Sequence, residues 1–383
     1  MLKEKKPKKR VIKIKKEGKV TERQFSAIII NTVLGVGILT LPRAAVSFAD
    51  NAGIISVLLA SLLSLINLII IIKLGLRFPD KTIFEYLQII LGKFLGKIIG
   101  FLIISYWFVF TAFVIRTFSE LIVTAVLPKT PIEVVIIIML LLVAYLSYKD
   151  IQVLGRVNEL YVFIVIVPIL FLTILSFKRG HMVYVLPVFH GHSLINILKG
   201  AGKSYFSFLG FEVVAIILPF ITTKKLSIEY GIKGWLIPSL LSIIVVIASI
   251  SVFGVFELKN LVWPTFELIK STQFFALIFE RLEVAFITTW VIALFTTASN
   301  LLFGIAMGGA QILNLHKHKT LVITLLPLLY LVALSPRNAY ELFNLVDIIS
   351  IIGLILTTIL PIILLILVQV RGKGGSGVNE ESN

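Results

Sequence analysis

Apolar runs long enough to form membrane-spanning helices recur along this chain, separated by short polar segments. They cover residues 25–49, 54–72, 98–127, 132–148, 160–177, 194–221, 235–256, 284–313, 321–334 and 342–370. A helix needs about 20 mostly apolar residues to cross a bilayer, and lipid cannot bond an unpaired backbone N–H or C=O. Hydrophobic residues make up 58% of the chain and charged residues 15%. The pattern predicts an all-α integral membrane protein with about ten transmembrane helices.

The distribution of Lys and Arg predicts how these helices cross the membrane. With both termini in the cytoplasm, 25 of the 36 Lys and Arg residues fall in inner segments, and Arg43 and Arg116 lie within spans. The other nine count as outer when Lys199 and Lys203, at the outer end of the sixth run, are included. This asymmetry follows the positive-inside rule. Nine crossings are the alternative, because the ninth run is short and contains Pro327.

The same topology divides the chain into three parts. We expect a basic cytoplasmic tail at residues 1–22, a transmembrane domain at 23–371 and a cytoplasmic tail at 372–383. A basic segment beside a membrane ordinarily contacts anionic lipid headgroups. Membrane lipid is therefore the expected partner of the first tail, and nucleic acid is not.

Two of the runs contain residues that interrupt a helix. In the first, residues 31–42 (NTVLGVGILTLP) place Gly35 and Gly37 in mid-membrane ahead of Pro42, and each of these residues disfavours a continuous helix. In the sixth, residues 200–212 (GAGKSYFSFLGFE) combine small residues with Gly210 and the carboxylate of Glu212. We predict that helices one and six are broken. The alternative is that the glycines serve close helix packing alone.

The predicted breaks are five spans apart, which is the spacing of a 5+5 inverted repeat. A break exposes N–H groups at one half-helix end and C=O groups at the other. Together these groups can hold a carboxylate and an ammonium group. The pattern therefore indicates a site for a small polar solute, with a free amino acid as the natural ligand.

Five motifs, taken in order, resemble those of the spore germination permeases, the B subunits of nutrient germinant receptors in endospore-forming bacteria. They are residues 34–43 (LGVGILTLPR), 78–87 (FPDKTIFEYL) with 91–93 (LGK), 116–120 (RTFSE), 207–212 (SFLGFE), and 263–265 (WPT) with 280–283 (ERLE). The resemblance implies a fold similar to the amino acid, polyamine and organocation transporter superfamily. It also implies a nutrient-binding subunit that triggers germination, alongside A and C subunits in the spore inner membrane.

The resemblance further implies where the ligand lies: between the two breaks, the third span and the eighth span. The matching positions here are Gly35, Val36, Gly37, Tyr106, Ser207, Leu209, Gly210, Thr296 and Thr297. Side-chain chemistry supports part of this set, because Tyr106 adds an aromatic wall with one hydroxyl and the two threonines place hydroxyls at membrane depth. The alternative for both threonines is hydrogen bonding to carbonyls of their own preceding turn.

Charged residues within the predicted spans form a second set of candidates. Arg116 and Glu120 are four residues apart on one face of the third span, and we expect them to form an ion pair. With Glu212 they are candidates for an ion or water path, and the alternative is a purely structural role. The sequence shows no nucleophile–base pair, nucleotide motif or metal-ligand pattern. We therefore expect no enzyme, no cofactor and no metal.

Two questions stay open from the sequence. Besides a receptor subunit, the chain could be a secondary transporter that couples an amino acid to protons or sodium, or a structural anchor of the receptor complex. A transporter needs a coupling-ion site, whereas a receptor needs only a ligand-dependent shift between two states. Amphipathic segments at residues 82–93 and 263–278 are expected either to lie on the membrane surface or to dock a partner subunit.

Overall fold

The computed structural model describes residues 18–35, 37–187, 193–272 and 282–372. Most of these residues are helical, as the sequence predicts. The helices are α1 (Glu22–Val33), α2 (Gly37–Ala49), α3 (Gly53–Leu76), α4 (Ile83–Leu91), α5 (Lys93–Ala125), α6 (Ile132–Ser147), α7 (Ile151–Ser176), α8 (Leu194–Tyr205), α9 (Val214–Ile217), α10 (Ser227–Asn260), α11 (Pro264–Lys270), α12 (Leu282–Leu313), α13 (Lys319–Leu334), α14 (Ala339–Leu354) and α15 (Leu360–Arg371). A π-helical turn, Ile355–Ile359, joins α14 to α15.

Each of the ten predicted runs falls on one of these helices or on a helix pair. Within the described residues, six helical stretches are long and apolar enough to cross a membrane, and a bent pair raises the number to seven. Helices α6 and α13 are apolar but have 16 residues each, fewer than the ~20 of a straight crossing. The protein is thus a multi-pass membrane protein, and the count of ten crossings and the inverted repeat stay predictions.

Both predicted helix breaks are present. The first lies between the end of α1 at Val33 and the start of α2 at Gly37. The second follows α8, where short 3-10 turns flank Gly210 and the two halves of the span meet at 51°. Gly210 has φ +109°, a left-handed conformation that glycine adopts without steric cost.

The broken helices lie inside the helix bundle. Helix α1 packs against α7, α10 and α12, and α2 packs against α3, α8, α10 and α11. Outward-facing apolar side chains such as Leu141, Phe163 and Ile351 are exposed, as expected for a surface that lipid covers. The breaks are therefore enclosed by protein, where irregular backbone can be tolerated at membrane depth.

The start of the first span and the end of the sixth lie together on one face of the bundle. The Val20 N–H donates to the Phe220 oxygen at 2.9 Å, and the Thr222 N–H donates to the Val20 oxygen at 3.0 Å. This pairing requires an even number of crossings between the two segments, in agreement with the six that were predicted. That this face is cytoplasmic stays a prediction.

The apolar faces of the two amphipathic segments are covered by this chain. Five residues of α4 and five of α11 are buried: Ile83, Phe84, Tyr86, Leu87 and Ile90, and Pro264, Thr265, Phe266, Leu268 and Ile269. Burial in the protein interior stabilises these faces as lipid or a partner would. The apolar stripes that led to the prediction are therefore covered by this chain itself. Whether the two helices also lie at the membrane surface or contact a partner stays a prediction, and residues 273–278 lie outside the described residues.

Candidate functional site

The two breaks touch each other at Gly37 and Ser207. The Ser207 hydroxyl donates to the Gly37 carbonyl oxygen at 2.8 Å. A Cβ on Gly37 would lie 2.3 Å from Ser207 Cα, closer than non-bonded heavy atoms approach. The absence of a side chain at Gly37 thus permits the backbone of the first break to contact the sixth.

Gly35 contacts α12 on the other side of the first break. The Trp290 indole N–H donates to the Gly35 oxygen at 3.2 Å. A Cβ on Gly35 would lie 2.6 Å from Thr297 Oγ1, and that hydroxyl donates to the Asn31 oxygen at 2.8 Å. The carbonyl end of the first half-helix is therefore bonded to α12. Val36, the remaining candidate in this break, lies outside the described residues.

In the second break, Glu212 caps the exposed backbone. Its carboxylate accepts the Gly210 N–H at 2.7 Å and the Tyr106 hydroxyl at 3.4 Å. Gly210 itself lies against the first broken helix, because a Cβ there would be 2.8 Å from the Thr32 oxygen. Glu212 is buried, with 6% of its surface exposed. Through its hydrogen bond with Tyr106, Glu212 links the second break to α5.

Tyr106 and Leu209 meet at Gly353 on α14. A Cβ on Gly353 would lie 2.7 Å from both the Tyr106 hydroxyl and a Leu209 methyl group. The structure thus brings Tyr106 to the second break, as predicted, but packs it tightly. The tenth span also contributes here, which the prediction did not include.

Thr296 and Thr297 both donate to carbonyls within their own helix. Thr296 Oγ1 is 2.9 Å from the Ala293 oxygen and 3.0 Å from the Ile292 oxygen. Thr297 Oγ1 is 2.9 Å from the Ala293 oxygen, in addition to its bond to α1. The preceding-turn bonding proposed as the alternative is present, and Thr297 also joins two helices.

Arg116 and Glu120 form the expected ion pair, with Arg116 Nη2 3.2 Å from Glu120 Oε2. Ten residues separate Arg116 from Tyr106 on α5, which places the pair about 15 Å along the helix from the residue that bonds Glu212. The three charged candidates are therefore not gathered at one place. An ion or water path through them stays a prediction.

A polar pocket of about 280 Å³ lies beside the Gly37–Ser207 contact, between α2, the sixth span and α14. Its polar lining consists of Thr40, Arg43, Ser47, Lys203, Ser207, Asn344 and Asp347. Among the predicted site residues, Ser207 lines this pocket. Arg43, which lines the pocket, also bonds to the Leu261 oxygen at the end of α10. The segment after the seventh run was predicted to face outward, so the pocket lies on that side of the breaks.

A second cavity lies on the opposite side of the second break and is much smaller, about 20 Å³. Glu212, Tyr106 and Tyr86 contribute to its lining. The Tyr86 hydroxyl is buried without a hydrogen-bond partner in the described part of the chain. The volume is enough for a single water molecule and too small for an amino acid.

Three buried asparagines that the site prediction left out join α1, α7 and α12. Asn31 Nδ2 donates to Asn158 Oδ1 at 3.1 Å, and Asn158 Nδ2 donates to Asn300 Oδ1 at 2.9 Å. Asn300 Nδ2 in turn donates to Thr32 Oγ1 at 2.8 Å. Asn31 and Asn300 lie within apolar runs, and this was an available signal, because polar groups at membrane depth require a partner. Asn158 lies just before a run and gave no such signal. The network holds the first break in place.

No cluster of three or more His, Cys, Asp or Glu that could hold a metal occurs among the described residues. His190 and His192, two histidines close enough in the sequence to approach one metal, lie outside the described residues. The expectation that the chain needs neither metal nor cofactor stays a prediction.

Comparison with known proteins gives matches over most of the chain. The model of a family described as spore germination protein matches residues 19–342. Spore germination protein YndE of Bacillus subtilis (strain 168) is 30% identical over 360 residues, covering 93% of this chain and 98% of that protein. These relatives confirm the resemblance seen in the five motifs.

Two solved transporter structures share the fold. MhsT in complex with L-phenylalanine has a TM-score of 0.66 at 16% identity, covering 92% of this chain and 89% of MhsT. Mhp1, a nucleobase–cation symport-1 family transporter in a closed conformation with bromovinylhydantoin bound, has a TM-score of 0.63 at 15% identity, covering 89% of this chain and 78% of Mhp1. The chain therefore has a transporter-like fold.

Proposed function

This chain belongs to the spore germination protein family, and we propose that it is the membrane subunit of a germinant receptor that binds a small nutrient, in the first place an amino acid. Binding would shift the bundle between two states and so trigger germination. The proposal also places the chain in the spore inner membrane, with both termini on the core side and with A and C subunits as partners.

One observation carries this proposal: a polar pocket of about 280 Å³ lies directly beside the contact between the two broken helices. A ligand in that pocket would touch Ser207, and Ser207 bonds to Gly37. Occupancy can therefore act on the contact that fixes the two half-helix pairs relative to each other. A receptor needs this kind of coupling between a site and a movable element.

The experiment that tests the proposal is thermal unfolding of the purified full-length chain with a panel of free amino acids. A ligand that binds the folded state alone raises the apparent stability by mass action. Thr40→Leu, which fills the pocket without changing its charge, should abolish the shift. Thr324→Leu is the matched control, because Thr324 is exposed on α13. An absence of any shift with all amino acids, both alone and with A and C subunits, would overturn the proposal.

Uptake into liposomes separates the receptor from the transporter. A receptor subunit should show ligand-induced stabilisation without accumulation of the amino acid under a proton or sodium gradient. Accumulation that depends on the gradient would favour a coupled transporter with the same pocket.

A further inference from the structure

Three backbone groups at the helix breaks are already bonded within this chain. The Gly35 oxygen accepts from Trp290, the Gly37 oxygen accepts from Ser207, and the Gly210 N–H donates to the Glu212 carboxylate. A ligand could reach these groups only by displacing a buried hydrogen bond, which leaves a buried polar group unpaired. These three groups, which were expected to help hold an amino acid, are therefore not free to do so in the described structure.

Side-chain charges are available instead, in the pocket of about 280 Å³. Arg43, Lys203 and Asp347 all line it, so it offers two cations and one carboxylate. Its volume is near the lower end of small-molecule sites, which span roughly 300–1,000 Å³. A small ligand with both a negative and a positive group matches this lining.

Arg43 is held in position with most of its donors unused. Its guanidinium carbon lies 4.3 Å from the centroid of the Phe343 ring, and Nη1 donates to the Leu261 oxygen at 3.3 Å. An arginine has five N–H donors in a fixed plane, and this fork matches a carboxylate. Within the described residues, stacking on Phe343 therefore orients the guanidinium while leaving N–H groups for a ligand.

Asp347 follows Phe343 by one turn of α14, so both residues lie on the face that lines the pocket. Its carboxylate is 3.5 Å from Lys203 Nζ, and the two side chains are 53% and 41% exposed. Ion pairs at this exposure contribute little to stability. A ligand ammonium group can replace Lys203 beside Asp347 at small cost, and Lys203 is then free to approach the ligand carboxylate.

We propose that this pocket recognises a free α-amino acid by its two charged ends, with Arg43 and Lys203 holding the carboxylate and Asp347 holding the ammonium group. The proposal rests on the proposed function, since it assigns the residues that bind the nutrient. It differs from binding by the half-helix ends, because it makes recognition depend on three side chains of spans one, six and ten.

The test measures how two variants bind free amino acids and two derivatives in which one charged end is neutralised. The probes are L-alanine, L-valine and L-leucine, each with its amide and its N-acetyl derivative, measured by ligand-induced thermal stabilisation of the full-length chain. The wild-type protein should bind the free amino acid at least about tenfold more tightly than either derivative, because hydrogen bonds to charged groups are involved. Arg43→Gln should abolish the preference over the amide, and Asp347→Asn should abolish the preference over the N-acetyl form.

Each variant should also bind the free amino acid roughly 10- to 100-fold more weakly. Lys203→Gln should weaken binding less, and Lys199→Gln is its control, since Lys199 is exposed on the same helix and outside the pocket lining. If a variant fails to fold, the wild-type preference for the free amino acid over its derivatives still decides. Two outcomes would overturn this proposal alone. In the first, the wild type binds the free amino acid without that preference; in the second, the folded variants bind it as the wild type does. An absence of wild-type binding to all three amino acids would overturn the proposed function with it.

Discussion

Ser207 Oγ donates a 2.8 Å hydrogen bond to the Gly37 carbonyl oxygen, and this bond joins the break of the first span to the break of the sixth. The backbones approach so closely that a Cβ on Gly37 would lie 2.3 Å from Ser207 Cα. The obstructing atom belongs to the backbone and cannot rotate away as a side chain would. The two half-helix pairs must therefore move together or separate at this contact.

Gly37→Ala should separate them. We expect a loss of about 1–3 kcal/mol in the free energy of unfolding, because overpacking displaces the backbone, together with loss of amino-acid-induced stabilisation. The measurement is thermal unfolding with and without ligand. Gly202→Ala is the matched control, since a Cβ at Gly202 meets nothing within 4 Å. Equal behaviour of the two variants would show that the contact has no functional role.

Removal of the Glu212 carboxylate should loosen the second break. Glu212→Ala leaves the Gly210 N–H and the Tyr106 hydroxyl without their acceptor, at a cost of about 1–3 kcal/mol in the free energy of unfolding. Glu212→Gln keeps one oxygen and should cost less. Denaturant unfolding in detergent measures both values. Wild-type stability of the alanine variant would mean that Glu212 does not cap the break.

Single and double variants can distinguish a structural role of the Arg116–Glu120 ion pair from a role in an ion or water path. Arg116→Leu leaves the Glu120 carboxylate without its partner inside the bundle. We expect this single variant to lose more stability than the double variant. Arg116→Leu combined with Glu120→Leu removes both charges and should recover most of that loss. Because the pair lies about 15 Å along α5 from Tyr106, we also expect the double variant to keep its ligand response. A stable double variant without response would favour an ion or water path.

The fold could be predicted largely from local signals. The apolar runs determine where helices form, and Gly35, Gly37 and Gly210 mark the breaks because glycine and proline act on the backbone at their own positions. The first span shows the limit of this approach. Its glycines indicate a break, but the bonds that close the break come from Trp290, Ser207 and Thr297 in distant segments.

The candidate site was harder to predict, because it depends on which faces of three spans meet. Arg43, which directly follows Pro42, was a usable signal, since charged residues within a span commonly mark function. Lys203 and Asp347 also lie within predicted runs, 194–221 and 342–370, and carried the same signal. Lys203 was overlooked because it falls within a motif whose glycines and carboxylate were more conspicuous. The place of Lys203 and Asp347 in one pocket with Arg43 follows from packing between α2, α8 and α14, which no single segment encodes.

His318 should make the stability of the loop between α12 and α13 depend on pH. It lies between α12 and α13, buried with its ring centroid 5.2 Å from that of Phe303, and burial lowers the pKa of its imidazole. The folded state therefore binds fewer protons than the unfolded state at pH values just below about 6.5. The stabilisation is complete above that pH and is lost as the pH falls from there toward the folded pKa. Unfolding temperatures between about pH 5 and 7.5 should fall more steeply on acidification in the wild type than in His318→Phe. His316→Phe, at an exposed position, should behave as the wild type, and parallel curves for all three proteins would contradict the prediction.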